Sequence, residues 1–224
     1  MKRALPIIAV LLAVVGTSAA VWSRRMSSSS NAQTVVVTPT ILKHLEWKEQ
    51  EASGLCPWRN KLADMQRFFP GSDSAIETKL VVSSQRIAIS KRLGRVPTGD
   101  ENALRAYRIM RGRTPCGTVI ARRVRGTYGL IELVLAIDAG SSAIKYARIQ
   151  RLREPQAAAN ALQSEAWLEQ FRGMTGDSNW QPVANSPLIP TDARASANAI
   201  TDAARTALIL HSTAQSIRVA VPQP

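Results

Sequence analysis

An alanine-rich apolar stripe near the end of the chain does most to limit its fold. From Ile189 to Leu210 the sequence reads IPTDARASANAITDAARTALIL. Ile200, Ala203, Ala204, Ala207 and Leu208 fall at i, i+3, i+4, i+7 and i+8, one face of an amphipathic helix. Small side chains along that face let a helix axis come close to a sheet, so the stripe calls for a flat apolar partner. Pro190 favours an extended lead-in, and Thr191 or Asp192 is placed to cap the first turn. The N–H groups freed at such a start are also a place for a phosphate.

The flat partner is found upstream, where the apolar period changes to two. Leu80–Ser83 and Arg86–Ser90 read as strands, and the glycines and proline of Lys91–Glu101 read as a loop. Ala106–Met110 and Gly117–Val124 form a hairpin around GRTP; in a second reading Asp100 caps a helix over Glu101–Met110. Leu130–Ile137 is an almost unbroken apolar strand with only Glu132 charged. After a turn at Asp138–Ser142, Ala143–Arg151 returns as an alternating strand whose basic side chains point one way. Before the strands, Leu62, Met65, Phe68 and Phe69 sit at helical spacing in Arg59–Phe69, and Pro70-Gly71 ends that helix. Past them, Pro155–Gln163 reads as a loop, and Trp167, Leu168 and Phe171 as the inner face of a short helix. Trp180 reads as core or rim packing with its N–H satisfied. The expected fold is α+β, an antiparallel sheet packed by helices. Its bounds are residues 45–211, followed by a loose tail at 212–224.

The N-terminus has a different character. Lys2 and Arg3 precede Ala4–Trp22, 19 residues without a charge, so residues 1–25 read as one N-terminal transmembrane or signal helix. Thr17–Ala20 offers a weak cleavage site, which leaves anchor and cleaved signal both open. Residues 26–44, with their SSSS run, read as a flexible linker, and Val35–Val37 as an edge strand. The positive-inside rule then puts the domain on the periplasmic side of a bacterial inner membrane, in a single-pass arrangement. Export admits a Cys56–Cys116 disulfide as well as two buried free thiols, while two cysteines 60 positions apart exclude CxxC redox chemistry. His44 and His211 read as surface or helix-end residues rather than ligands.

The net charge of +13 and a pI near 10.8 ask for an anionic neighbour. Nucleic acid is not the expected one, since no zinc-finger spacing, helix-turn-helix pattern or stacking motif accompanies the charge. The basic residues concentrate in Arg86–Arg125, where eleven meet only Asp100 and Glu101 as acids. With two histidines and scattered carboxylates, hydrolase and metal mechanisms have little to work with.

GTYGLIELVLAIDAGSSAIKYARIQRLREP at 126–155, AWLEQFRGMT at 166–175, FFPGSD at 68–73, SNWQPV at 178–183 and the TDAR of Thr191–Arg194 together carry a family resemblance. The chain resembles the FMN-binding domain of the G subunit of Rnf-type electron-transfer complexes and of the C subunit of sodium-pumping NADH:quinone reductase. In that family flavin is held by a phosphoester on the last Thr of a Ser/Thr-Gly-Ala-Thr motif. At the matching positions this chain has Thr191, Asp192, Ala193 and Arg194, so no phosphoester can form. A Glu-Thr-Pro-Gly-Leu-Gly phrase that shapes the family's flavin pocket survives only as Glu154 and Pro155. The resemblance thus implies an FMN-binding-like domain that has lost its cofactor and serves as an accessory, structural or docking subunit beside other subunits of a membrane electron-transport complex, respiratory or photosynthetic. Two other readings stand beside it. In one, Thr191, Arg194 and Ser196 hold FMN non-covalently for electron transfer; in the other, the domain is a basic module for anionic lipid or an acidic redox partner.

Overall fold

The computed structural model describes residues 55–220, with side chains through residue 216. The expected anchor, the linker, the edge strand at Val35–Val37 and His44 lie outside the described residues. Five strands, β1 Ser74–Val81, β2 Ala103–Arg111, β3 Thr114–Arg125, β4 Leu130–Asp138 and β5 Ile144–Arg151, form one sheet in the order β1-β2-β3-β4-β5. Every neighbouring pair is antiparallel. Around the sheet lie α1 Lys61–Phe68, α2 Arg86–Leu93, α3 Gln156–Leu162, α4 Glu165–Leu168, α5 Gln181–Ala184 and α6 Arg194–Ala220. The α+β class and the antiparallel sheet packed by helices stand as read from the sequence. Among the described residues no helix is long and apolar enough to cross a membrane.

Strand alternation divides the core in two. Ile131, Leu133, Leu135 and Ile137 of β4 join Leu104, Ala106 and Ile120 on the face covered by α6. Ile200, Ala204, Ala207 and Leu208 of α6 press onto them, each at 2% exposure or less. Burial of one such isoleucine or leucine contributes ~1.5–3 kcal/mol, and the alanines between them bring the helix down to the sheet. Trp167, Phe171 and Trp180 extend this core as an edge-to-face series, with ring centroids 5.1 and 5.9 Å apart. The indole of Trp180 donates to the Thr175 carbonyl at 3.0 Å, as its core-or-rim role requires.

The opposite face is closed by the segment from Leu55 to Phe69. Cys56, Trp58, Met65, Phe68 and Phe69 pack there on Tyr107, Ile109, Val119, Ala121, Val134 and Ala136. This smaller core contains charge. Glu132, at 1% side-chain exposure, receives Arg59 Nε at 2.7 Å and Arg123 Nη2 at 3.1 Å. Gln150 adds an amide donor to the same carboxylate at 3.1 Å. Asp64 accepts from Trp58 Nε1 and Arg148 Nη2, both at 2.6 Å, tying α1 to β5.

Several expectations are corrected. Arg86–Ser90 is helical: Ile89 and Leu93 point inward four residues apart, and Gly94 at φ 74° closes the helix by donating to the Ser90 carbonyl. Ile87, which made the segment look alternating, is 90% exposed. Pro155–Gln163 contains α3, whose Ala158 and Leu162 are buried at helical spacing. The Asp100 region is a 3-10 turn over Gly99–Glu101 with a capping box from Thr98 to Glu101, so β2 stands as a strand. Leu62 is 70% exposed and leaves the inner face of α1 to Met65 and Phe68. Of the expected loose tail, 212–220 is helical, because α6 continues to Ala220 with Ala214 buried, and 221–224 lies outside the described residues. His211 is itself buried, at 4% exposure, rather than at a surface or helix end. Cys56 and Cys116 are both free thiols.

Candidate functional site

The start of α6 holds the residues that the sequence offers for a ligand, Thr191, Arg194 and Ser196. Pro190 is extended and a 3-10 turn over Thr191–Ala193 leads into the helix, without a side-chain cap from Pro190. Thr191 and Asp192 are exposed, whereas Ser196 is fully buried. Arg194 folds back and donates from Nη2 to the Ile189 carbonyl at 3.0 Å. Ser196 Oγ accepts from the Thr127 amide at 2.8 Å and donates to Glu154 Oε1 at 2.9 Å. Glu154 also receives the Tyr128 amide at 3.3 Å, so its carboxylate stitches the β3–β4 turn to α6. Gly126 makes the stitch possible, since a Cβ there would run into Glu154 and Ile131.

Thr191, Arg194 and Ser196 are therefore neighbours in the chain that do not converge. One is on the surface, one is turned onto its own backbone, and one is sealed beneath the β3–β4 turn. The nearest acceptor to Ser196 is a carboxylate, which repels a phosphate at hydrogen-bonding distance. These residues do not fit a flavin phosphate.

The arginines of Arg86–Arg125 make up much less of a continuous patch than their number suggests. Arg95 grips Glu101 with two bonds of 2.8 Å and reaches Asp202 of α6 at 3.3 Å. Arg92 pairs with Asp177 at 2.9 Å and Arg105 with Glu77 at 3.2 Å. Arg111 donates to the Pro70 carbonyl at 2.6 Å, and Arg86 to Asn102 and to the Pro97 carbonyl. Arg122 faces α6 at 3% exposure, and its Nε and Nη1 find no acceptor among the described residues. Burial holds its guanidinium below the ordinary arginine value, against the pull of Glu101, Asp100 and Asp202.

What remains is a corner built by α2 and the loop after it. Ile87 and Val96, 90% and 74% exposed, line one shallow depression with Arg86, Ser90, Lys91 and Arg95. Among the described residues no acidic side chain lines it. Two bare aliphatic tips inside a basic ring are a surface feature that composition alone did not locate; reading Ile87 at helical rather than strand period finds it.

The buried ion pairs opposite α6 were also missed. Burial pushes the Glu132 carboxyl up, but hydrogen bonds from Arg59 and Arg123 reverse that and hold it below the usual range. Cys56 lies beside it, and burial, with the Glu132 charge second, raises its thiol to about 11. That thiol is a poor nucleophile. Among the described residues no group of three or more His, Cys, Asp or Glu side chains is placed to hold a metal. Neither the family models nor the curated proteins searched contain a match to this chain.

Proposed function

We propose that this chain is a non-catalytic docking subunit, tethered through its N-terminal segment, whose α2 corner rests on an anionic membrane surface. The observation that carries the reading is the pair Ile87 and Val96, exposed within the ring of Arg86, Lys91 and Arg95. Aliphatic tips gain by entering the interface, and Arg86 and Lys91, which unlike Arg95 pair with no carboxylate among the described residues, each add about 1 kcal/mol near anionic headgroups. The family resemblance supplies the setting, a membrane electron-transfer complex facing the periplasm. The engaged side chains of Arg194 and Ser196 favour a member that carries no flavin over one that holds FMN non-covalently.

The test uses the full chain reconstituted in vesicles of neutral lipid, with or without phosphatidylglycerol. Hydrogen exchange across 86–97 should slow only when the anionic lipid is present, and 1 M salt should remove the effect by shortening the Debye length to about 3 Å. Ile87→Ser with Val96→Ser should abolish the protection without unfolding the domain. Protection indifferent to phosphatidylglycerol, salt and these substitutions overturns the reading. A band that stays yellow and fluorescent after denaturation overturns its cofactor-free part.

A further inference from the structure

A second site lies away from that corner, at the other half of α6. We infer that the cleft between α6 and strands β2 and β3 binds a small monocarboxylate through Arg108. Arg108 and Thr118 are direct cross-strand partners on the face that α6 covers, so the guanidinium and hydroxyl rise side by side from the floor. His211 and Gln215, one helical turn apart and joined at 3.1 Å, form the wall. The β4–β5 turn brings Asp138 and Ser142 to the rim of this partly open cleft, whose volume is about 250 Å³.

Arg108 is the telling residue. Most arginines of its segment are bound to carboxylates or carbonyls, yet Arg108 has neither an ion pair nor a hydrogen bond among the described residues. A half-buried guanidinium presents a planar fork of donors that a carboxylate matches with two parallel bonds. Thr118 and Gln215 add a hydroxyl and an amide, which suit the same anion and its polar substituent. The volume is below the usual range for drug-sized ligands, so the acid is small.

Asp138 sets the charge of the ligand. The Ser141 amide, the Ser141 hydroxyl and the Gly140 amide all donate to its Oδ2 and hold its carboxyl below the usual range, so it is ionised at neutral pH. Among the described residues Arg108 is the one guanidinium lining the cleft and Asp138 an ionised carboxylate at its rim, so the lining favours a monoanion over a phosphate dianion.

The experiment titrates the full chain in neutral detergent with acetate, propionate and inorganic phosphate, following the amide resonances of Gly117, Thr118 and Gln215 and the heat of binding. The carboxylates should shift these amides saturably, and phosphate should bind at least tenfold more weakly. Arg108→Gln should raise the carboxylate dissociation constant tenfold or more, and Gln215→Leu severalfold. Arg113→Gln, on the exposed hairpin turn, should leave it unchanged. Gln215 is exposed on α6, so its variant decides the matter if Arg108→Gln fails to fold. Phosphate binding as tightly as acetate overturns the monocarboxylate assignment. Equal losses in the Arg108 and Arg113 variants, or no saturation, overturn the site. None of these outcomes depends on lipid, so they do not decide the docking role of α2.

Discussion

On the α6 side of the sheet, Ile120, Leu133 and Leu135 meet Ile200, Ala204 and Ala207 in a wide apolar contact; on the other side, Arg59, Asp64, Arg123 and Glu132 share a narrower space with Trp58 and Phe68. The difference follows from what covers each face. A 27-residue helix brings enough apolar surface to close its side mainly by burial. The short segment Leu55–Phe69 cannot, and it is held in place by ion pairs reaching from the cover to the strands. One face therefore rests mainly on apolar burial, with Arg122 and the Arg95–Glu101–Asp202 group as its charged part, while the other has its ion pairs at the centre.

Removing the central carboxylate should have the largest effect. Glu132→Ala strips Arg59, Arg123 and Gln150 of the carboxylate they share, a loss of ~3–5 kcal/mol in denaturant unfolding. Arg59 is 44% exposed and contributes the smaller share. The same carboxyl makes the face acid-labile. Its folded pKa lies below the ordinary 4.5, so its contribution is complete above that value and declines as pH falls toward the folded pKa. Glu132→Ala should flatten the stability curve across that acid window. A curve that stays as steep would shift the acid sensitivity to Glu101, whose carboxyl Arg95 likewise holds low against burial.

Ile200→Ala probes the apolar side and should cost ~2–4 kcal/mol with no change in acid sensitivity. Arg122→Met should do the opposite of a truncation. It replaces an unsatisfied buried cation beneath α6 by an apolar chain of similar reach, and stability should rise by ~1–3 kcal/mol. A loss instead would mean that Glu101 and Asp202 need Arg122 more than its burial costs. The smallest effect is kinetic. Maleimide should label Cys116 promptly, and Cys56 only as fast as its cover opens. If Cys56 reacts at the global unfolding rate, the two faces open together and the contrast between them is only chemical.

The sequence carried the sheet well and the site poorly. The nearly unbroken apolar run of Leu130–Ile137 and the turn at GRTP depend on neighbours in the chain, so the strands and hairpin could be read directly. Ile87 and Ile89 have a spacing that suits a strand, and only the Gly94 terminus and the inward Leu93 identify the helix. The α3 segment was hidden because a family phrase suggested a loop where QAAANAL has good helical propensity. At the candidate site the reading ran along the chain, from Thr191 to Ser196, whereas the contacts that decide its chemistry come from Thr127 and Glu154. Arg108 was counted only as part of a charge run, since its place beside His211 and Gln215 is made by packing and not by spacing.

The order of the strands also governs how the molecule can be made. Because each strand lies beside the next one synthesised, the sheet can assemble hairpin by hairpin as the polypeptide emerges from a ribosome or a translocation channel, with little loop-closure entropy to overcome. The cover for its broad apolar face is made after all five strands, since β5 ends at Arg151 and α6 begins at Arg194. A chain that has emerged through β5 but not through α6 therefore exposes Ile131, Leu133, Leu135 and Ile137 to whatever is nearby, and that interval is when aggregation threatens and a chaperone has its substrate.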